Sequence, residues 1–391
     1  MTPKGFIFST VEAAIKKPGH RDIGLIFSEV EANIAGVFTT NTVKAAPVLI
    51  CMEKIKSGRG QAIIVNSGNA NACTGEKGLK NADKIISAVA EQLDVKDSTV
   101  YICSTGVIGA QLPMEKILPA VKSLTEDMGR SSMDDVAAAI MTTDTFPKII
   151  SEKLKIGNGY GLISGICKGA GMIAPNMATM LCFILTDIAV ERKTLSTILK
   201  SSVKKSFNRI TIDGDMSTND TVLMLSNGLL GNEPITAESA DFDKVLKAVD
   251  EITHGLSKMI VSDGEGATKL VEVFVRGAKN DSDADKAAFA VSNSLLVKTA
   301  IYGCDANWGR IMAALGYSGI DFREEKTDIS FNNIKAVKGG ISNNRDEEAA
   351  GVLKGKEIKI TIDLHAGGSS AKVLTCDLTE TYIRINAEYR N

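Results

Sequence analysis

The chain has 391 residues and nearly balanced charge, with 45 Lys and Arg against 47 Asp and Glu and a formal net charge of −2. That balance argues against a nucleic acid or an anionic membrane surface as the main partner. The composition, 44% hydrophobic and 24% charged, is that of a globular protein, and the length predicts about two to three domains or subdomains.

The apolar runs argue against a membrane-spanning protein, and the amino-terminal residues argue against an exported or organelle-targeted one. The longest apolar runs, such as 180–185, are far shorter than the roughly 18 residues that cross a bilayer. The first twelve residues show neither a signal-peptide core nor an Arg-rich amphipathic stretch. We therefore expect no membrane partner and a cytoplasmic location.

Short β-type runs alternate with amphipathic helical runs along the chain, without strict βαβ regularity. This pattern predicts a mixed α/β (α+β) class. Small and charged turn formers dominate 277–285, which we interpret as a linker to a smaller carboxy-terminal unit. Predicted strands are 24–27, 34–39, 61–65, 99–103, 160–166, 180–185, 221–226, 258–261, 269–275, 357–364, 371–377 and 382–386. Predicted helices are 77–93, 114–128, 133–141, 192–207, 241–254 and 284–297, the last capped by Ser282 or Asp283.

Several common site types find no support. The seven cysteines contain no C-x-x-C, so we expect neither a disulfide framework nor a zinc site. The segment 213–220 lacks the glycine and the closing glutamate of a calcium loop. The glycines of 157–161 do not have dinucleotide-binding spacing, and they predict a hairpin turn instead. With three histidines, none beside a nucleophile, a catalytic base must come from elsewhere.

The segment 168–180 packs small residues, a proline and a polar pair between two apolar runs, and it ends in Thr179 and Met180. By pattern alone it is a glycine-rich loop followed by an ordinary threonine. A threonine can dispense with histidine if the peptide bond before it is cut, because its own α-amine, with a usual pKa of about 7.7–8.0, then serves as the general base.

The segment 168–181, K-G-A-G-M-I-A-P-N-M-A-T-M-L, resembles the self-cleavage segment of the ornithine acetyltransferase (glutamate N-acetyltransferase) family of arginine biosynthesis. The resemblance covers essentially the whole chain, because seven further stretches match that family in the same order. They are 66–75, 104–109, 141–145, 213–221, 263–269, 307–310 and 384–387.

The resemblance implies a chain that cleaves itself between Ala178 and Thr179. The α fragment would be 1–178 and the β fragment 179–391, paired as an (αβ)2 heterotetramer. The implied fold is a layered αββα sandwich similar to the DmpA-type self-processing aminopeptidases. Residues 179–280 would complete the sandwich, and 281–391 would form a smaller carboxy-terminal domain.

It also implies roles for particular residues. Thr179 would be the nucleophile, and Thr105 and Gly106 the oxyanion hole, although by pattern the two also suit a simple turn after a strand. Asn391 departs from the family, whose chains end in Thr or Ser. The substrate-binding positions would be Thr142, Lys168, Thr179, Glu265, Asn386 and Asn391.

The activity implied is transfer of an acetyl group from N-acetylornithine to glutamate through an acetyl ester on Thr179, with no metal or bound cofactor. Whether acetyl-CoA is also a donor is left open. One alternative is a self-processed aminopeptidase or amidase of the same fold, disfavoured because the DmpA type uses serine. Another is an unprocessed amino-acid-binding protein whose glycine-rich segment is a ligand loop.

Overall fold

The computed structural model of the chain describes residues 1–16, 18–174 and 180–388. It separates into two compact units. The first comprises Met1–Gly169, Asn176–Asn208 and Met216–Ile260, and the second comprises Ala170–Pro175, Arg209–Asp215 and Val261–Asn391. No helix in the described ranges is both long and apolar enough to span a bilayer.

Strands and helices are interleaved along the chain. The strands are β1 (Phe6–Val11), β2 (Ile23–Phe38), β3 (Arg59–Asn69), β4 (Val100–Val107), β5 (Lys148–Ile156), β6 (Gly159–Lys168), β7 (Leu181–Thr186), β8 (Thr221–Ser226), β9 (Leu270–Ala278), β10 (Asp328–Phe331), β11 (Ile334–Lys338), β12 (Ile341–Ser342), β13 (Glu357–Asp363) and β14 (Ser369–Cys376). The helices are α1 (Ala46–Lys54), α2 (Gly75–Leu93), α3 (Met114–Glu126), α4 (Met133–Ala139), α5 (Arg192–Lys205), α6 (Phe242–Ser262), α7 (Asp281–Asn293), α8 (Leu295–Tyr302), α9 (Trp308–Tyr317), α10 (Asp346–Val352) and α11 (Glu380–Ala387).

The first unit is built on an eight-stranded mixed sheet of order β4-β3-β2-β8-β7-β6-β5, with β1 also paired to β2. The predicted strands 24–27 and 34–39 are one long strand, β2. Its first half pairs with β1 and β3, and its second half pairs with β8. The ladder is irregular between Phe27 and Ala32, where the exposed 29–31 stretch allows one strand to serve both halves of the sheet.

Strands β7 and β8 are parallel, and every residue of both is buried. Continuous apolar strands of this kind are covered on both faces. On one face of the neighbouring β6, a side chain at Gly165 would lie 2.8 Å from Ile252 and 2.9 Å from Leu256 of α6. On the other face, Ile166 joins the main hydrophobic core. The layered α/β class predicted from the sequence is confirmed.

The second unit has its own six-stranded sheet, of order β12-β11-β10-β13-β9-β14, in which β9 and β13 are parallel. Helix α7 packs on β9 and β14. A separate core fills the space between them, with Val273, Ala288 and Val373 among its fully buried members. The residues interpreted as a linker belong largely to regular elements, since β9 extends to Ala278 and α7 begins at Asp281.

Three predictions in the second half of the chain are wrong. The predicted strand 258–261 is the end of α6, because Ile252, Leu256 and Ile260 continue a helical stripe at four-residue spacing. The predicted strand 382–386 is helix α11, whose first turn Thr379 caps by accepting from the Tyr382 N–H. The predicted helix 284–297 is two helices, α7 and α8, capped by Asn280 and Ser294 rather than by Ser282 or Asp283.

Candidate active site

The predicted site residues divide between the two units. Thr105, Gly106, Thr142 and Lys168 belong to the first unit, and Glu265 and Asn386 belong to the second. Ala178, Thr179 and Asn391 lie outside the described residues.

Thr105 and Gly106 lie within β4, so the interpretation of a turn after residue 103 is wrong: the strand continues to Val107. Strand β4 extends this far because the neighbouring strand β3 pairs with it over the same length. Parallel β3 pairs with β4 as far as Gly68 opposite Gly106, where the register becomes irregular. Gly106 has φ of +133°, and a Cβ on it would lie 2.2 Å from the Gly68 carbonyl carbon. Only glycine permits this approach of two backbones.

Side-chain amides hold the same end of β3 and β4. The Ser104 hydroxyl donates to Asn66 Oδ1 at 2.5 Å. The Asn219 amide donates to the carbonyl oxygens of Ser104 at 2.8 Å and of Ala70 at 2.7 Å. The carbonyl of the Ser104–Thr105 peptide and the Ser104 side chain are therefore both held in place. A fixed backbone is what an oxyanion hole requires.

Asp144 is the centre of a buried polar cluster. Its side chain is fully buried and accepts from the backbone N–H of Gly169 at 2.6 Å and of Thr142 at 3.0 Å. The Lys148 ammonium donates to it at 2.7 Å, and Lys168 Nζ lies 3.9 Å from it. Burial acts to raise the pKa of Asp144, but Lys168, Lys148 and the hydrogen bonds outweigh it and lower that pKa to about 2. The carboxylate is thus charged at neutral pH.

Lys168 ends β6, and it is 2% exposed. Its ammonium donates to Thr105 Oγ1 over a long 3.5 Å. A buried cation beside the Thr105 hydroxyl provides positive potential at the point where the sequence predicts an oxyanion.

In the second unit, Glu265 is 8% exposed and accepts from the Asn386 side-chain amide at 2.8 Å. Its backbone N–H donates to the Ala170 carbonyl at 2.7 Å. A Cβ on Gly171 would lie 2.3 Å from the Glu265 carboxyl carbon, so the absence of a side chain at Gly171 makes room for that carboxylate. Two of the predicted binding residues, Glu265 and Asn386, are thereby in direct contact.

Asp213 holds the adjoining backbone of the same unit. Its carboxylate accepts from the N–H groups of Met172 at 2.6 Å and Ile173 at 2.9 Å. Over the described residues, no three His, Cys, Asp or Glu side chains are grouped as metal ligands.

Comparison with known proteins identifies the family. The model of the ArgJ family matches residues 7–391. The chain belongs to the ArgJ family. As a member of this family it is an enzyme of arginine biosynthesis, and the family predicted from the motifs is confirmed.

Curated relatives agree along the full length. The arginine biosynthesis bifunctional protein ArgJ of Geobacter sulfurreducens is 51% identical over 100% of both chains. That of Caldanaerobacter subterraneus is 49% identical over 99% of this chain and 97% of the relative. The crystal structure of arginine biosynthesis bifunctional protein argJ from Bacillus halodurans is 45% identical, with a TM-score of 0.51, and the match covers 52% of this chain and 97% of that one.

The sequence analysis assigned no role to Asp144, the residue at the centre of the buried polar cluster. Asp144 stands inside a recognised stretch, and Lys148 follows at four residues, yet neither spacing nor composition shows that both are buried. Asn219 was also assigned no role. The available signal was their position beside apolar strands, which predicts burial and hence a need for partners.

Gly106→Ala is expected to lower the free energy of unfolding by about 1–3 kcal/mol and to displace the predicted oxyanion donors, because its Cβ meets backbone rather than a side chain. Urea unfolding measures the first effect, and the yield of the predicted self-cleavage measures the second. Gly109→Ala is the matched control, since Gly109 has φ of +88° with nothing within 4 Å of its Cβ position. Gly109→Ala should lower the free energy of unfolding but leave the predicted self-cleavage unchanged. Equal cleavage in Gly106→Ala and Gly109→Ala would contradict the steric argument.

Proposed function

We propose that this enzyme transfers the acetyl group of N2-acetyl-L-ornithine to L-glutamate, giving ornithine and N-acetylglutamate, through an acetyl ester on Thr179. The observation that carries the proposal is the cluster of Thr105, Gly106, Lys168 and Asp144 at the end of β4 and β6. Its donors and buried cation suit the tetrahedral oxyanion of acyl transfer. The family membership and the sequence of 168–181 support the same reaction.

Self-cleavage would create the nucleophile. The Thr179 hydroxyl attacks the Ala178 carbonyl carbon, and the nitrogen of the broken peptide bond takes up a proton and becomes the Thr179 α-amine. Water then hydrolyses the resulting ester and releases the Ala178 carboxylate. The matched part of this chain, 52%, covers 97% of the crystallised relative, so that chain is about half as long as this one, which is the size expected of one cleavage product.

In the mature enzyme the α-amine of Thr179 would accept the hydroxyl proton as Thr179 attacks the acetyl carbonyl. Its usual pKa of about 7.7–8.0 suits a base near neutral pH. Ornithine leaves, the acetyl group stays as an ester on Thr179, and the α-amine of glutamate collects it. No step in this scheme draws on a metal or a bound cofactor.

The charges of the substrate match the charged residues proposed to bind it. N-Acetylornithine has a carboxylate and a cationic δ-amine. Lys168 supplies a positive charge and Glu265 a negative charge, so each substrate charge has a residue of opposite sign. Thr142, Asn386 and Asn391 would add polar contacts. Pairing single substitutions of Lys168 and Glu265 with ornithine analogues that lack one charge assigns each residue to its substrate group.

We further propose that the fragments 1–178 and 179–391 remain associated and pair as (αβ)2 in the cytoplasm. Acetyl-CoA as a second acetyl donor would acylate the same Thr179. Steady-state rates measured with each donor separately distinguish one activity from two.

The test of the proposal is the intact mass and amino-terminal sequence of the purified chain beside a Thr179→Ala variant. From the 41.5 kDa of the whole chain we expect fragments of about 19 and about 23 kDa, the larger beginning at Thr179. The variant should stay intact and transfer no acetyl group. An intact wild type that transfers acetyl would refute the self-activated nucleophile, and one that binds ornithine without turnover would indicate a binding protein. Transfer of the acyl group to water alone would indicate an amidase.

A further inference from the structure

Asp220 is a buried carboxyl group directly before β8, and its two oxygens have different surroundings. Oδ1 accepts from the Met180 N–H at 3.0 Å. Oδ2 is buried and makes no hydrogen bond of normal geometry in the described ranges, although the hydroxyls of Thr39 and Ser217 lie near the carboxyl group. The residue itself is 0% exposed. A buried polar atom without a partner is costly and calls for an explanation.

The backbone amide that Oδ1 binds, that of Met180, indicates a role for this carboxyl group. Met180 is the residue that follows Thr179, and its N–H belongs to the peptide group of Thr179. The Met180 carbonyl in turn accepts from the Thr221 N–H at 3.2 Å, which continues the β7–β8 pairing. The amide of Met180 is therefore held by a side chain where the β7–β8 ladder ends.

The neighbouring residue reaches the predicted oxyanion hole. Asn219 donates to the Ser104 carbonyl, one residue before Thr105. Two consecutive residues, Asn219 and Asp220, thus hold the backbone next to Thr105 and the backbone next to Thr179. Both sets of contacts lie within the first unit.

Burial also favours the uncharged form of the Asp220 carboxyl group. Burial raises the pKa of Asp220 well above its usual range, and the Met180 amide, the Lys168 cation and the nearby hydroxyls of Thr39 and Ser217 offset only part of that rise. An uncharged carboxylic acid has both an acceptor and a donor oxygen. Such a group can hold the amide through Oδ1 and still offer a proton through Oδ2.

We propose that Asp220 is a positioning residue for self-cleavage, holding the peptide group that follows Thr179 through Oδ1 and presenting Oδ2 as a second hydrogen-bonding atom at the same point. The inference rests on the proposed function, since it presupposes cleavage before Thr179. It gives a role to a residue that the reaction scheme above does not use.

The experiment follows the first-order rate of cleavage by intact mass after cell-free synthesis of the full chain. Asp220→Leu and Asp220→Ala remove both hydrogen-bonding atoms, whereas Asp220→Asn keeps an acceptor and a donor. The matched control is Asp187→Asn, because Asp187 follows the other end of β7 and likewise accepts backbone N–H groups, from Leu162 at 2.8 Å and Lys4 at 3.0 Å. Circular dichroism and urea unfolding report whether each variant folds.

We expect the apolar variants to fold and to cleave at least about 100-fold more slowly, as displacement of a reacting group by about 1 Å can cause. Asp220→Asn should cleave within about tenfold of the wild type, because the amide replaces both interactions, and Asp187→Asn should cleave normally. A folded apolar variant that cleaves at the wild-type rate overturns the proposal. So does failure of both apolar variants to fold, which would make Asp220 structural. An intact wild type would instead overturn the proposed function, and this inference with it.

Discussion

Replacing Asp144 by alanine is expected to lower the free energy of unfolding by about 3–5 kcal/mol, because it removes the carboxylate that the buried Lys148 and Lys168 both face. Acetyl transfer and self-cleavage should be lost as well. The Thr142 and Gly169 amides lose their common acceptor, and Lys168 loses the charge that holds it beside Thr105. Urea unfolding with intact-mass analysis measures both effects.

Asp328→Ala is the matched control for Asp144→Ala. Asp328 also accepts from a lysine, Lys335 at 2.7 Å, and from a backbone N–H, that of Gly339 at 2.8 Å, but it belongs to the second unit and the lysine is 43% exposed. Exposed pairs of this kind contribute about 0–1 kcal/mol. Equal losses in the two variants would contradict the view that burial makes the Asp144 cluster important.

The Asp144 cluster also predicts a pH dependence of stability. With its pKa lowered from 3.8 to about 2, the folded state binds fewer protons than the unfolded state between these values. Its stabilisation of about 2 kcal/mol is therefore complete above about pH 4 and is lost as the pH falls through 2. The free energy of unfolding should fall less steeply between pH 4 and pH 2 in Asp144→Ala than in the wild type, and parallel curves would contradict the assignment.

Thr105→Val is expected to reduce kcat for acetyl transfer about 100- to 1,000-fold, because it removes the hydroxyl proposed as an oxyanion donor while keeping the shape of the side chain. Self-cleavage should slow in parallel, since it passes through the same kind of intermediate. Stability should change little, because among the described residues the hydroxyl has one hydrogen bond, the long 3.5 Å contact with Lys168. Rates measured on the matured fraction, together with the time course of cleavage, test both expectations.

Two controls separate the Thr105 hydroxyl from packing. Thr105→Ser restores a donor and should recover most of the activity. Thr99→Val removes a hydroxyl of similar burial just before the other end of β4, where Thr99 donates to the Lys96 carbonyl at 2.8 Å. Full activity in Thr105→Val would show that the oxyanion is stabilised by other groups.

The fold could be predicted in class but not in every element. The run 221–226 has an apolar centre of four residues, begins with the β-branched Thr221 and Val222, and forms a buried strand as expected. Residues 258–261 and 382–386 also contain β-branched residues but belong to helices. In the first case the apolar stripe of α6 continues through them, and in the second Thr379 caps the first turn of α11. Local composition does not distinguish these outcomes; packing and capping partners do.

The sequence by itself determined the family, because its motifs are contiguous and occur in order, and with the family came the predicted nucleophile, cleavage site and binding residues. Only the tertiary structure decided that β4 continues through Thr105 and Gly106, that Asp144 joins Lys148 and Lys168 in one buried cluster, and that Asp220 holds the amide of Met180. The physical reason is the separation along the chain between the residues that interact. A motif is a property of adjacent residues, whereas the burial of a charge and the partner of a hydrogen bond depend on strands that are distant in the chain and meet only in the folded sheet.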